Sequence, residues 1–129
     1  MNALLLSAGM GTRLLPLTKN WPKCLMPIHN TPILEYWLSA LIALGIRNIF
    51  VNVHHHKDIV LEYLSRDRFK EYVKIVEEKE LLGTAGTIRN ISKHLLEEPT
   101  FVIHADNWSQ LNLKEMQDYH INKRPSACS

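Results

Sequence analysis

Segments of strand-like hydrophobicity alternate with segments of helical periodicity along most of the chain. Four segments are rich in Val, Ile, Leu and Phe and are bounded by Gly, Pro or polar residues, which is typical of strands buried in a parallel sheet. The sequence therefore predicts four core strands, over residues 3–6, 48–53, 72–77 and 100–104.

Between these segments, apolar residues recur at intervals of three and four, which predicts amphipathic helices. The first helix is expected between Thr31, as its N-cap with Pro32 at the first helical position, and a stop at Gly45. Asn112 and Glu115 form a capping-box-like pair at the start of the last helix. The other two predicted helices cover residues 58–65 and 83–96.

Strands that alternate with helices, joined by connections too long for hairpins, imply right-handed βαβ crossovers. We therefore predict an α/β fold with a Rossmann-like, three-layer α/β/α architecture and a mainly parallel sheet. Ligands of such folds bind at the carboxyl ends of the strands. Residues 9–23, in an irregular loop after the first strand, and Asp106, just past the fourth, are both expected at that edge.

The composition is that of a soluble globular domain. The chain has 129 residues, of which 46% are hydrophobic and 22% charged, so one core can form without disulfides or a structural metal. No apolar run reaches the roughly 18 residues of a membrane span, and the N-terminus lacks the basic region of a secretory signal. Cys24 and Cys128 have no metal-site or redox spacing, so both are expected to be reduced thiols of a cytoplasmic protein with no membrane partner.

The charge is unevenly distributed. The net charge is only +2, which does not suggest a nucleic-acid partner. The first 34 residues, however, contain Arg13, Lys19 and Lys23 and no acidic residue, whereas the rest of the chain carries a net charge of −1. This distribution indicates a local anion site.

The loop after the first strand has the residues that such a site needs. Gly9 and Gly11 allow a turn whose N–H groups point at phosphate oxygens, and Arg13 and Lys23 add positive charge. A P-loop would need a lysine directly after Gly11, and a dinucleotide-binding fingerprint would need glycine where this chain has Leu14. A plain strand-to-helix turn would not explain an acid-free stretch with three cations and three prolines.

The adjacent histidines at residues 54–56 invite a metal-site interpretation. Neighbouring side chains at a strand end point in different directions, so we expect these histidines to cap the second strand instead.

Several segments together resemble one enzyme family. Ala8-Gly-Met-Gly-Thr-Arg-Leu14, Pro16-Leu-Thr18 and Pro22-Lys23 are similar to the signature of the sugar-1-phosphate nucleotidyltransferases, also called NDP-sugar pyrophosphorylases. The resemblance extends to Leu82-Gly-Thr-Ala-Gly86, like the family's second nucleotide-binding turn, and to Asp106, where the family has its first magnesium-binding aspartate. It implies that a sugar 1-phosphate oxygen attacks the α-phosphorus of a nucleoside triphosphate and expels pyrophosphate.

The resemblance also implies residue roles. Arg13 would stabilise the departing pyrophosphate, Lys23 would bridge the α-phosphate and the sugar phosphate, and Asp106 would bind Mg²⁺. The triphosphate, ribose and base would lie against the remaining candidates, which are Ala8, Gly9, Met10, Gly11, Thr12, Glu77, Leu82, Gly83 and Gly86.

Two departures from the family pattern bear on these expectations. Ala105 stands where the family usually has glycine before the metal-binding aspartate. The family's sugar-binding half and second metal-binding aspartate have no counterpart here, so residues 1–129 are expected to be the NTP-binding domain of a truncated enzyme.

The motif at residues 82–86 is closer to that of mannose-1-phosphate guanylyltransferases than to that of uridylyl- or thymidylyltransferases, which favours GTP. The alternative hypothesis is a non-catalytic nucleotide-binding module of the same fold that regulates or oligomerises with another chain. Homo-oligomerisation is compatible with either hypothesis.

Overall fold

Parallel strands form the centre of the molecule. The computed structural model describes residues 1–95 and 98–127. The strands are β1 (Asn2–Leu6), β2 (Pro27–Ile28), β3 (Thr31–Pro32), β4 (Asn48–Val53), β5 (Val73–Glu77) and β6 (Thr100–His104). Four of them form a wholly parallel sheet in the order β5-β4-β1-β6, and the two short strands, β2 and β3, form a separate antiparallel ladder.

Helices cover both faces of the sheet. The α-helices are α1 (Ile33–Ala43), α2 (Lys57–Leu64), α3 (Asp67–Lys70), α4 (Gly83–Ile91) and α5 (Leu113–Lys123). Short 3-10 turns occupy Thr12–Leu14, Leu17–Lys19, Lys23–Leu25 and Ser92–His94. None of the helices in the described part of the chain has the length and apolar character needed to cross a bilayer.

The core is divided by the alternation of side chains along β1. Ala3 and Leu5 face the larger cluster, which includes apolar residues of α1 and α2, whereas Leu4 and Leu6 face a smaller one with Phe50. The smaller cluster is completed by Ile91 of α4. All five β1 residues are buried, so the predicted two-sided burial and the predicted three-layer α/β/α architecture are both confirmed.

Most predicted elements are present, with three differences. Thr31 is not the N-cap of α1, because Thr31 and Pro32 pair with the segment Pro27–Ile28 and the helix begins one residue later. The helix predicted over residues 83–96 ends at Ile91 and continues as a 3-10 turn to His94; Leu96 lies outside the described residues. The short helix α3 was not predicted.

Two predicted helix ends are confirmed. Gly45 follows α1 with φ of 91°, a left-handed conformation that glycine adopts without steric cost, and its N–H donates to the carbonyl of Ile42. The side chain of Asn112 accepts a hydrogen bond from the N–H of Glu115 at the start of α5.

A charged cluster joins α1, α2 and α3 on the surface of the larger core. The hydroxyl of Tyr63 and the guanidinium of Arg68 both donate to the carboxylate of Glu35. Burial, followed by the bond to Glu35, raises the pKa of Tyr63 to about 12. Partial burial would by itself raise the pKa of Glu35, but the two hydrogen bonds outweigh it and lower that pKa below its ordinary value of 4.5.

This cluster gives a pH-dependent contribution to stability. Because the pKa of Glu35 is lower in the folded than in the unfolded chain, its ionised form stabilises the fold above pH 4.5, and this contribution is lost as the pH falls through the folded-state pKa. We expect Glu35→Gln to lower the free energy of unfolding by about 1 kcal/mol at pH 7, with the difference closing at acid pH. Urea unfolding at several pH values measures it. Glu62→Gln, an exposed change on α2, is the control, and a pH-independent difference would contradict the assignment.

Candidate nucleotide site

A cleft of about 250 Å³ lies at the carboxyl ends of β1, β4 and β6. A larger cavity of about 510 Å³ lies between β6 and α5, but its lining is mainly apolar. The smaller cleft is the candidate site, because five of the predicted site residues line it: Ala8, Gly9, Lys23, Gly83 and Asp106. Its polar and loop lining includes Ser7, Gly9, Lys23, Asn52, Glu78 and Asp106.

The glycine-rich loop leaves β1 at this cleft. Gly9 borders it, and a Cβ built on Gly9 would meet nothing within 4 Å. Gly11 has φ of 64°, and a Cβ there would lie 2.8 Å from Cγ2 of Thr18. The hydroxyl of Thr18 donates to the carbonyl of Gly11 at 2.6 Å. A larger residue at position 11 would therefore strain the backbone and displace the packing of the loop.

Lys23 and Asp106 face each other across the cleft. Nζ of Lys23 lies 2.6 Å from Oδ2 of Asp106, and the two side chains are 27% and 28% exposed. Two hydrogen bonds hold the segment that carries Asp106: the backbone N–H of Ala105 donates to the carbonyl of Leu6, and the side-chain Nε1–H of Trp37 donates to the carbonyl of Asn107. The expectation that these two segments meet at the carboxyl edge of the sheet is confirmed.

A buried polar network forms part of the cleft wall and was not predicted from the sequence. Asn52, Ser7, Glu78 and Thr87 are each at most 7% exposed. The Asn52 carboxamide accepts from the backbone N–H of Ser7 at 2.6 Å and donates to Oε1 of Glu78 at 3.1 Å, and Thr87 donates to the same Glu78 oxygen. Two sequence features could have indicated this network: Asn52 is a polar residue within the apolar strand β4, and Glu78 directly follows β5.

The structure brings Glu78, not Glu77, to the cleft. Glu77 ends β5 on the surface, where it pairs with Lys57; the hydrogen bond from that lysine holds the pKa of Glu77 below its ordinary range. Glu78 is 4% exposed, and its Oε2 accepts from the backbone N–H of Leu82 at 3.4 Å. The glutamate that lines the cleft after β5 is thus Glu78, one residue after the predicted Glu77.

Apart from Gly86, the other predicted site residues either line the cleft or lie exposed beside it. Ala8, Gly9 and Gly83 line the cleft, and Gly83 has φ of 70° at the start of α4. Met10, Thr12, Arg13 and Leu82 are exposed beside the cleft rather than in its wall, and no described residue forms a hydrogen bond or ion pair with the guanidinium of Arg13. Gly86 packs its backbone on Leu82, because a Cβ there would lie 2.8 Å from that of Leu82.

Two histidines after β4 bond to segments that follow β1 and β5. Nδ1 of His54 lies 2.8 Å from the carbonyl of Glu78, and Nε2 of His56 lies 3.1 Å from the carbonyl of Thr18. A carbonyl only accepts, so each of these ring nitrogens carries the donated hydrogen. The segment therefore ties the loop after β4 to both the glycine-rich segment and the end of β5.

Cys24 is a packed thiol beneath the site. It is 1% exposed, and burial raises its pKa to about 12, so it is not a nucleophile at neutral pH. Cys128 lies outside the described residues.

The cleft suits a hard cation bound jointly with phosphate. Within residues 1–95 and 98–127, no three His, Cys, Asp or Glu side chains form a group that could hold a metal ion. The partly buried carboxylate of Asp106 is an oxygen donor beside the glycine-rich loop, and Mg²⁺ commonly binds one or two carboxylates together with phosphate oxygens and water. The donors present therefore fit Mg²⁺ that arrives with a nucleotide.

Together, the fold and the cleft define an α/β domain whose candidate ligand site lies at the carboxyl ends of its parallel strands. The chain belongs to the nucleotidyl transferase family, whose sequence profile it matches over residues 2–128. The resemblance inferred from the sequence motifs is thereby confirmed.

Curated relatives have names that refer to guanylyl transfer. Mannose-1-phosphate guanylyltransferase 1 of Arabidopsis thaliana is 37% identical over 125 residues, which cover 93% of this chain and 35% of that protein. D-glycero-alpha-D-manno-heptose 1-phosphate guanylyltransferase of Campylobacter jejuni is 31% identical over 117 residues, covering 91% of this chain and 52% of that protein. The chain thus spans about a third to a half of the length of these relatives.

Solved structures share the fold. HddC from Yersinia pseudotuberculosis, in complex with GMP-PN, superposes with a TM-score of 0.77 at 26% identity over 94% of this chain and 54% of that one. CTP:phosphocholine cytidylyltransferase (LicC) from Streptococcus pneumoniae superposes with a TM-score of 0.74 at 30% identity over 87% of this chain and 47% of that one.

Proposed function

We propose that this chain is the NTP-binding domain of an enzyme that transfers a guanylyl group from GTP to a sugar 1-phosphate and releases pyrophosphate. The observation that carries the proposal is the contact between Lys23 and Asp106 beside the glycine-rich loop. A cation and a carboxylate at a loop of this kind suit a reaction at a phosphate that involves a metal ion.

The reaction needs little from the protein besides position and charge. The attacking oxygen of a sugar 1-phosphate is already anionic at neutral pH, so no general base is required. It forms a bond to the α-phosphorus while the bond from that phosphorus to the bridging oxygen of pyrophosphate breaks, and the electron pair leaves with pyrophosphate. The catalytic contribution is the neutralisation of the charge that gathers on these oxygens.

Residues in and beside the cleft supply that neutralisation. The N–H groups of the loop from Ala8 to Thr12 bind phosphate oxygens, and Lys23 binds the α-phosphate and the incoming sugar phosphate. Arg13, exposed beside the loop and without a described partner, turns toward the departing pyrophosphate. Gly83, which lines the cleft, lets the nucleoside approach the backbone at the start of α4, and Gly86 lies further along the same helix, against Leu82.

Mg²⁺ is the proposed cofactor, held by Asp106 together with phosphate oxygens of the nucleotide. When bound, it supplies positive charge that lowers the cost of placing two phosphates close together. With Mg²⁺ bound, Asp106 would serve as a ligand of the metal ion and Lys23 would serve as a donor to phosphate oxygens.

The preference for GTP rests on the relatives. The Arabidopsis and Campylobacter proteins both have guanylyl transfer in their names, and HddC was crystallised with a guanine nucleotide analogue. The cytidylyltransferase among the similar structures makes CTP the competitor to test. Mannose 1-phosphate and a heptose 1-phosphate are the corresponding acceptors.

One experiment tests the proposal. The 129-residue chain is incubated with Mg²⁺, one of four nucleoside triphosphates and one of several sugar 1-phosphates, and released pyrophosphate is measured alongside nucleotide binding by calorimetry. We expect GTP to bind and to support acceptor-dependent pyrophosphate release. Binding without release would support the alternative, a non-catalytic nucleotide-binding module, and the absence of binding by every nucleotide would overturn both.

A further inference from the structure

A single buried carboxamide connects the two loops that border the cleft. Asn52 lies near the carboxyl end of β4, between the glycine-rich loop on one side and the start of α4 on the other. Its Oδ1 accepts from the backbone N–H groups of Ser7, at 2.6 Å, and Ala8, at 3.3 Å. Its Nδ2 donates to Oε1 of Glu78, at 3.1 Å, and to the hydroxyl oxygen of Thr87, at 3.3 Å.

On both sides of Asn52, the residues that it bonds are next to, or bonded to, predicted nucleotide contacts. Ser7 and Ala8 precede Gly9, and the hydroxyl of Ser7 makes a second bond to the Asn52 backbone carbonyl. On the other side, Glu78 accepts from the N–H of Leu82, and the hydroxyl of Thr87 lies 3.0 Å from the carbonyl of Gly83. The carboxamide therefore sets the distance between the loop proposed for the phosphates and the turn proposed for the nucleoside.

The chemistry of this position requires a neutral group that both accepts and donates. An aspartate would keep the acceptor for Ser7 and Ala8, but it would place a second carboxylate at hydrogen-bond distance from that of Glu78, in a region where both are shielded from water. A leucine would leave the N–H groups of Ser7 and Ala8 without their acceptor, and Oε1 of Glu78 would keep only the donor from Thr87.

We propose that Asn52 is a positioning residue for nucleotide binding, which holds the glycine-rich loop and the turn at Leu82 and Gly83 at the separation that one nucleoside triphosphate spans. This inference rests on the proposed function. Asn52 acts through Ser7, Ala8 and Glu78, and the network it organises spans residues 7, 52, 78 and 87.

The test uses Asn52→Asp, measured with Mg²⁺ and GTP at pH 8 and pH 5.5, each relative to wild type at the same pH. At pH 8 we expect GTP affinity to fall at least tenfold, because the two carboxylates repel and the donor to Glu78 is lost. At pH 5.5 most of the loss should be recovered, because a proton held between the carboxylates replaces the amide donor. The other titratable groups facing the site, namely Lys23, His54, His104 and Asp106, are common to both proteins, so the ratio cancels their effect.

The chain offers a matched control. Asn2 is also 4% exposed, and its carboxamide bonds a backbone carbonyl, that of Leu95, at the opposite end of β1 from the cleft. Asn2→Asp makes the same chemical change in a similarly buried place, so it should leave the ratio of affinities at the two pH values as in wild type. Circular dichroism and thermal unfolding show whether each variant is folded.

Four outcomes overturn the role of Asn52: wild-type affinity of Asn52→Asp at pH 8, an equal loss at both pH values, the same pH-dependent loss in Asn2→Asp, or the absence of GTP binding by wild type. Only the last also overturns the proposed function. If Asn52→Asp does not fold, Thr87→Val and Thr87→Ser replace it. The serine variant keeps the hydroxyl that bonds Glu78 and should retain at least tenfold more GTP affinity than the valine variant; equal affinities overturn the inference.

Discussion

Lys23→Ala should lower pyrophosphate release from GTP by roughly two to three orders of magnitude, the loss typical when a preorganised donor to a developing charge is removed. The ammonium lies in the cleft 2.6 Å from Asp106, on a 3-10 turn that Pro22 precedes. This turn holds the backbone of Lys23 before nucleotide binds, so the ammonium can pass from Asp106 to phosphate without a rearrangement of the loop. The same change should weaken Mg²⁺-GTP binding by about tenfold, or ~1.4 kcal/mol.

The control is Lys19→Ala. Lys19 is exposed at the end of the preceding 3-10 turn and belongs to the same acid-free segment, so both changes remove one unit of the local positive charge. If general attraction to phosphate explained the effect, both variants would lose affinity alike, and the loss would vanish at high salt. Equal pyrophosphate release by Lys23→Ala and wild type would remove Lys23 from the proposed mechanism.

The parts of the fold that could be predicted are those that neighbouring residues determine. β1, β4 and β6 follow from short apolar runs, and α5 begins where the Asn112 side chain caps it. Thr31 shows the limit of local patterns: Thr-Pro is a good helix start, but pairing with Ile28 places it in a strand. The partner strand forms because the chain reverses between the two, where His29 and Asn30 both have positive φ.

The site could be predicted in part for a related reason. The contact between Lys23 and Asp106 follows from a rule of parallel sheets, in which the carboxyl ends of all strands lie at the same edge. The loop that carries Lys23 follows β1, and Asp106 follows the neighbouring strand β6. The network of Asn52, Glu78 and Thr87 depends on the register between β4 and β5 and on the packing of α4, which no short motif contains. The choice between Glu77 and Glu78 depends on which side of the chain faces inward as β5 ends: Glu77 pairs with Lys57 on the surface, and Glu78 is buried against Asn52 and Thr87.

Asp106→Asn should remove the effect of Mg²⁺ on nucleotide binding. The amide has the size of the carboxylate and still accepts a hydrogen bond from Lys23, so the cleft keeps its shape, but a neutral oxygen is a much weaker ligand for a hard cation. In wild type we expect Mg²⁺ to tighten GTP binding. In the variant this increase in GTP affinity should be about tenfold smaller, which corresponds to ~1.4 kcal/mol of binding free energy. Calorimetric titration with GTP, in Mg²⁺ and in EDTA, measures both values.

The values in EDTA make this prediction specific to a metal ligand. Without Mg²⁺, the Asp106 carboxylate repels the phosphates and competes with them for Lys23, so Asp106→Asn should bind GTP as well as wild type or better. A merely structural role would instead weaken binding in both conditions. Asp118→Asn, which changes an exposed carboxylate paired with Lys114 on α5, should behave as wild type in both. If Mg²⁺ tightened GTP binding equally in Asp106→Asn and wild type, another group would have to hold the metal, and the contact between Lys23 and Asp106 would be left with the role of orienting the lysine.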